Sequence, residues 1–321
     1  MMYEIKLSIK DYAAINLYTT SDKIKDKLVA KSSSLRRTIP VTKTSYKEVS
    51  INDIVYEDSV IINSSFDKRM IYDKEHNVAV CNAQEDDFRF PDLVYICLAM
   101  FSKILSRNQR YLLHSSALLH ESGNSFILVG EANAGKTSLA YELMCHHNCK
   151  LISNDHSVIG VEDGKVKILG GTKEIQMRLG AIELYFPELF KRINVSAEDK
   201  WAKKIVVNDY VDTNLILDSN TDSATLTDLF SIYTINAGDS FIRQKDNIDE
   251  FLFLYDSMSK IIKGTYNYIT GFDYPMPSME SENTLTDLSS LCHKMVNQCD
   301  VYDARGSICH LGKELVKKYE R

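Results

Sequence analysis

Gly130-Glu131-Ala132-Asn133-Ala134-Gly135-Lys136-Thr137 constrains this chain more than any other stretch. It reads G-x-x-x-x-G-K-T, the spacing of a phosphate-binding loop. Ser125-Phe126-Ile127-Leu128-Val129 precedes it and is apolar enough for a buried strand. Ser138 to Met144 follows it and carries Leu139, Leu143 and Met144 on one helical face. Strand, loop and helix in that order is the setting such a loop requires. Its glycines let the backbone curl so that N–H groups converge on phosphate oxygens. The helix N-terminus adds partial positive charge. Lys136 is suited to the β- and γ-phosphates and the Thr137 hydroxyl to Mg²⁺. ATP is therefore expected along Gly130, Glu131, Ala132, Asn133, Ala134, Gly135, Lys136, Thr137 and Ser138. A plain Gly/Ala turn entering a helix is the alternative.

The balance of 38 basic and 44 acidic residues, net −6, argues against a broad nucleic-acid surface and leaves only a local basic groove open. Met1 to Lys6 carries no signal-peptide core, and no apolar run is long enough to span a membrane. The seven cysteines are scattered and odd in number. A cytoplasmic protein with reduced thiols is expected, with no membrane partner. A homo-oligomer remains open.

Two domains are expected, a β-rich one over 1–90 and a nucleotide-binding one over 91–321. In the first, Tyr3–Ile9, Lys47–Tyr56 and Ser59–Asn63 read as strands, and Arg69–Tyr72 with Asn77–Cys81 as a hairpin. Lys23–Lys31 reads as a short helix or a basic loop. Pro91 then marks a boundary, and Asp92–Arg107 is helical in pattern. Leu112–Leu119 reads as a strand that brings His114 within one hairpin of the loop.

Beyond the loop helix, Lys150–Ser153 is a short strand with Asn154-Asp155 at its C-terminal end, 19 positions after Lys136. In a parallel sheet that end opens on the ligand crevice. A carboxylate there can ligate Mg²⁺ or take a proton from a hydroxyl, and an Asx turn is the structural alternative. Gly160–Leu169 reads as a hairpin. Gly170–Gly180 follows as a polar turn in which Lys173 and Arg178 are candidates to clamp anions and Glu174 a candidate metal carboxylate. Cys145-His146-His147-Asn148-Cys149 lacks a second ligand pair and reads as a helix end rather than a metal site. Leu184–Phe190 reads as an aromatic turn with Pro187, and Ala197–Lys204 as a solvated face or a substrate contact. Ile205–Val211, Ala224–Phe230 and Ser231–Ala237 read as strands, Asn247–Lys263 and Thr284–Cys299 as helices, and Tyr274–Pro277 as a loop. Asp300–Asp303 reads as a strand and Leu311–Tyr319 as a terminal helix.

The block from His114 to Arg178 resembles the kinase core of the HPr kinase family, a P-loop fold related to phosphoenolpyruvate carboxykinase. Leu113-His114-Ser115-Ser116-Ala117 is similar to the family's His-bearing strand, and Lys150-Leu151-Ile152-Ser153-Asn154-Asp155 to its paired-aspartate strand end. The resemblance covers 110–180 and implies an α/β fold, a P-loop HPr kinase/PEP carboxykinase-like core with an N-terminal β-rich domain. It implies an ATP-dependent phosphotransferase in which the first acid of the pair deprotonates a hydroxyl and a His assists. Carried over by position, His114 is that His and Asn154-Asp155 the pair, with Lys136 and Arg178 holding phosphoryl charge. Thr137, Asp155 and Glu174 would serve Mg²⁺.

The chain departs from the family twice. Asn154 stands where the first Asp belongs, and an amide is no base, so Asp155 takes that role or serves the metal alone. An acid restored at 154 would then keep or raise activity. Gln176-Met177-Arg178-Leu179-Gly180 preserves only the Arg of the family's Glu-x-Arg-Gly-Leu-Gly signature. Both changes point away from HPr and toward a small-molecule or peptide hydroxyl acceptor. The competing readings are a silent nucleotide-binding regulator and a carboxykinase-like enzyme.

Overall fold

A computed structural model of the protein describes residues 2–30, 32–87, 89–218, 223–235, 240–264, 268–269 and 274–320. The chain is mixed α/β and divides into two compact units, Met1–Leu112 with Tyr255–Leu291, and Leu113–Leu254 with Cys292–Arg321.

The first unit opens on a hairpin of β1 (Met2–Ile9) and β2 (Ala13–Thr19), in which Ile5, Leu7 and Ile9 lie opposite Leu17, Ile15 and Ala13 on a buried face. Helices α1 (Asp22–Ala30) and α2 (Ser32–Thr38) follow, then β3 (Lys43–Val49), β4 (Ser59–Ser64), β5 (Arg69–Asp73) and β6 (Val78–Ala83). The six strands form one sheet in the order β3-β1-β2-β4-β6-β5. The expected strand over Lys47–Tyr56 is shorter and shifted, because Ser50 ends it. The Ser50 hydroxyl accepts from the Asn52 amide, and Asp53 accepts from the Ser50 amide, a capping box that starts a 3-10 turn. Helix α3 (Phe90–Ser106) has Pro91 in its first turn, where its missing N–H is harmless. It is buried on nearly every side rather than along one stripe.

The second unit holds an eight-stranded sheet. Its strands begin with β7 (Arg110–His120) and β8 (Ser125–Val129), followed by α4 (Lys136–His146), β9 (Cys149–Ser153), β10 (His156–Glu162) and β11 (Lys165–Gly171). A small ribbon, β12 (Gln176–Arg178), leads into α5 (Leu179–Tyr185) and α6 (Pro187–Ile193) and pairs with β13 (Lys204–Val206). The aromatic turn expected at Leu184–Phe190 is thus two short helices, with Pro187 opening the second rather than breaking the first. The strand expected over Ile205–Val211 stops at Val206, where the chain enters a 3-10 turn over Asn208–Tyr210.

Then come β14 (Ala224–Thr234), β15 (Phe241–Gln244) and α7 (Asn247–Lys263), a ladder of β16 (Tyr268–Ile269) with β17 (Tyr274–Pro275), α8 (Glu282–Gln298), β18 (Asp300–Gly306) and α9 (Ile308–Val316). The two strands expected over 224–230 and 231–237 are one strand ending at Thr234, and Ala237 lies outside the described residues. The large sheet runs β11-β10-β7-β8-β14-β18-β15, with β9 on β7. β8, β14 and β18 are parallel, and β7 is antiparallel to β8. Since β9 is antiparallel to β7, the C-terminal ends of β8, β9, β14 and β18 share one rim. Against the sheet pack α4, through Leu139, Leu143 and Met144, and α9, through Leu311 and Leu315, with Phe126, Leu128, Phe230 and Ile232 from the strands. This apolar contact fixes α4, and therefore the loop that enters it.

Candidate functional site at the carboxyl rim of the sheet

The Gly130–Thr137 loop joins β8 to α4 as the sequence predicts. Two of its glycines are obligatory. A Cβ at Gly130 would stand 2.7 Å from the Ile232 carbonyl oxygen, a backbone atom with nowhere to go. Gly135 has φ +94, and a Cβ there would meet the Thr234 hydroxyl at 2.1 Å. The end of β14 therefore abuts the loop, and the Thr234 amide donates to the Ala134 carbonyl at 3.0 Å. Lys136 is buried and folds back over the loop, its ammonium donating to the carbonyls of Gly130 (2.8 Å) and Glu131 (3.0 Å). Its charge thus lies inside the curl of backbone, and the first turn of α4 leaves N–H groups without intrahelical acceptors beside it.

Asn154 ties this loop to the neighbouring strands. It is 2 % exposed. Its Oδ1 accepts from Ser116 Oγ at 2.7 Å and from Thr137 Oγ1 at 3.3 Å, while its Nδ2 donates to the Glu174 carbonyl at 2.9 Å. The amide is needed as an amide. A carboxylate at this position would set an oxygen against the Glu174 carbonyl in a buried place.

Asp155 is different from its neighbour in every respect. It has φ +65, a left-handed conformation that Asp tolerates better than most residues. The His156 amide donates to the Asn154 carbonyl at 2.8 Å, closing a three-residue turn around it. In a regular strand His156 would point away from the side Asp155 faces. The turn instead brings both to His114. His114 Nδ1 lies 3.4 Å from Asp155 Oδ1, His156 Nδ1 lies 3.4 Å from Asp155 Oδ2, and the two imidazole centroids are 5.2 Å apart. Burial, then the neighbouring His156 and the Lys136 ammonium, push the His114 pKa down to about 4. Burial works to raise the Asp155 carboxyl. The charges and hydrogen bonding of His156 and the charges of His114 and Lys204 outweigh it and hold the pKa below the usual value. Near neutral pH the pair is an ionised carboxylate beside a neutral imidazole.

The remaining candidates are placed as follows. Arg178 Nε donates to Asn133 Oδ1 of the loop at 3.2 Å, and its Nη1 donates to the Trp201 carbonyl. Lys173 donates to the Ile152 carbonyl. Glu174 reaches the cluster through its backbone carbonyl. Two residues carry weight that sequence reasoning did not give them. His156 reads as an ordinary strand residue, and only the turn at Asp155 reveals it. Lys204, read as part of a solvated face, sits opposite Arg178 in the β12–β13 ribbon and bears on Asp155.

Donor atoms of His114, Asp155 and His156 all lie within 4.8 Å of one another. Two imidazoles and one carboxylate suit a borderline divalent cation such as Zn²⁺ better than Mg²⁺, which prefers oxygen. His156 is 6 % exposed, and its Nδ1 faces the Asp155 carboxylate at 3.4 Å. For Mg²⁺, Thr137 Oγ1 and Asn154 Oδ1 stand together at 3.3 Å, and the Asp155 carboxylate belongs to the next residue of the turn.

No protein-family model matches the chain, and no curated protein matches it in sequence. Among solved structures, one titled as the Hpr(Ser) kinase/phosphatase from Coxiella burnetii is similar at a TM-score of 0.31 and 11 % identity, covering 65 % of this chain and 95 % of that chain. A likeness at that level bears on neither activity nor site, so function is read from the side chains. Among the described residues no helix is long and apolar enough to cross a membrane.

Proposed function

We propose that this protein is an ATP-dependent kinase that transfers the γ-phosphoryl group to a hydroxyl of a small molecule or of a peptide serine. One observation carries the reading: a G-x-x-x-x-G-K-T loop with its lysine turned inward lies on the same rim as an ionised carboxylate flanked by two imidazoles, and Asn154 bonds to the loop's Thr137. In this reading the loop amides and Lys136 hold the triphosphate. Thr137, Asn154 and Asp155 would hold Mg²⁺, which supplies charge neutralisation between the β- and γ-phosphates. Asp155 takes the proton from the acceptor O–H as that oxygen bonds to the γ-phosphorus and the bond to the β-bridging oxygen breaks, releasing ADP. His114, kept neutral, orients the carboxylate. Arg178, bonded to Asn133, steadies the loop and offers charge to the transferring group.

The test is transfer from γ-labelled ATP across a panel of hydroxylated metabolites and serine peptides. Wild type is expected to label an acceptor class, and Asp155→Asn to do so at least about a hundredfold more slowly while still binding ATP. A second reading, a nucleotide-binding regulator without catalysis, is favoured by one observation, the buried amide of Asn154 where an acid would serve chemistry. Wild type that binds ATP but labels nothing would support it and overturn the kinase.

A further inference from the structure

The β12–β13 ribbon sorts its side chains onto two faces. Met177 and Ile205 are cross-strand partners and pack into the apolar core. Arg178 and Lys204 are the next pair of partners, so they stand together on the other face. That face reaches the loop, because Arg178 Nε donates to Asn133 Oδ1 at 3.2 Å. It also bears on Asp155, whose carboxylate feels the Lys204 charge.

The cations around it are not equally committed. Arg178 is held on both sides, by Asn133 and by the Trp201 carbonyl. The nearby Lys200 is paired with Glu183 at 2.6 Å. Lys204 is exposed, and among the described residues no ion pair engages its ammonium. A cation so placed makes Asp155 a weaker base, adding to the pull of His156 and His114. A group that must take a proton from a hydroxyl gains nothing from that by itself. The charge becomes an asset when something negative arrives with the hydroxyl. An anionic group on the acceptor is drawn to Lys204 and offsets its charge, which returns basicity to Asp155 while the hydroxyl is beside it. Lysine suits such a task, since a point charge on a flexible stem takes a carboxylate or a phosphate without demanding one geometry.

On the reading that Asp155 is the base of a kinase, we propose that the acceptor carries a carboxylate or a phosphate close to the hydroxyl that is phosphorylated, and that Lys204 binds this group. Lys204 is then a specificity-determining residue: it favours charged acceptors over neutral ones of the same size, and it sets the acceptor's hydroxyl toward Asp155.

The test is calorimetric titration of the protein saturated with Mg·AMP-PNP, a non-hydrolysable ATP analogue, with glycerol, glycerate and glycerol 3-phosphate. These three-carbon probes end in a hydroxyl, a carboxylate and a phosphate. At least one charged probe should bind wild type about tenfold or more tighter than glycerol, the scale of one charge-assisted hydrogen bond, and the better of the two tells carboxylate from phosphate. Lys204→Gln should remove that preference and leave AMP-PNP affinity within about twofold, while Lys204→Arg should keep it. No preference in wild type, or a preference that survives Lys204→Gln, would overturn the assignment. So would a loss of AMP-PNP affinity in Lys204→Gln as large as the loss of the charged probe, which would place Lys204 on the triphosphate. In the transfer panel, labelling confined to neutral hydroxyl compounds and neutral serine peptides would overturn it as well. A Lys204-dependent preference in a protein that labels no acceptor would uphold the anion site and overturn the kinase reading alone.

Discussion

Asp228 and Asp155 lie toward opposite ends of the strands in one sheet, and their surroundings are built on opposite plans. Asp228, on β14, is 3 % exposed. Its carboxylate takes the Lys318 ammonium, the Tyr319 hydroxyl at 2.8 Å and the Thr227 hydroxyl at 2.9 Å. Lys318 donates also to Asp300 at 2.9 Å and to Tyr302 at 2.6 Å. Burial works against the charge on Lys318, but these hydrogen bonds outweigh it and hold its pKa above the ordinary value. Every charge there has a counter-charge or a donor, and the network fastens the chain's last turn to the strands. Asp155 has two imidazoles at 3.4 Å, a left-handed backbone and a lysine that bears on it from another ribbon. A saturated network resists change of protonation. A carboxylate beside the neutral His114 imidazole can exchange a proton or a cation. The first arrangement is that of a structural anchor, and the second is where the proposed function takes up its proton.

The comparison breaks most sharply by isosteric exchange of each acid. Asp155→Asn should lower phosphoryl transfer at least about a hundredfold and weaken the fold less than Asp228→Asn does, since Asn tolerates positive φ as well as Asp and only the stability carried by the Asp155 charge is lost. Asp228→Asn should do the reverse. It should lower unfolding free energy by about 2 kcal/mol, the scale of hydrogen bonds to charged groups, and leave transfer near wild type. Chemical denaturation and steady-state kinetics on both variants check this, and a matched loss of both quantities in either variant would erase the distinction.

A smaller effect is expected at Asn154. Asn154→Asp should destabilise the protein by about 1 kcal/mol or more through the acid set against the Glu174 carbonyl. Added Mg²⁺ should restore part of the loss, and a melting-temperature series with and without the cation reads it.

The smallest effect concerns pH. His114 is neutral in the fold, with its pKa held near 4, while the unfolded chain protonates it near its ordinary value of about 6.5. Between those values the unfolded state binds more protons, so stability rises with pH across that window and is lost as pH falls through it. Asp155, with its lowered pKa, adds a loss of the same sign below the usual carboxylate value. Denaturation at pH 7 and pH 5 should show the first slope in wild type and a shallower one in His114→Gln.

The loop and its helix were legible because their spacing is a local code: β8, the turn and α4 follow one another without long-range help. Asp155 was legible from its place at a strand end. His156 was not, because a strand's period of two assigns it to the other face, and only the positive φ at Asp155 turns it back. An Asn-Asp pair after a short strand was the available hint, since both residues favour such turns. In the first unit β2 is not among the strands read from the sequence, since its alternation is only Ile15-Asn16-Leu17 beside Ala13 and Ala14.

The central claim is that the Gly130–Thr137 loop binds the phosphates of ATP, and a thermal shift tests it most directly. Wild type with Mg·ATP at about a hundred times its dissociation constant should gain about 2.7 kcal/mol of stability. Lys136→Ala, which removes the one ammonium inside the curl of the loop, should gain almost none. Wild type without any ATP-dependent shift, or Lys136→Ala that keeps all of it, would contradict the account.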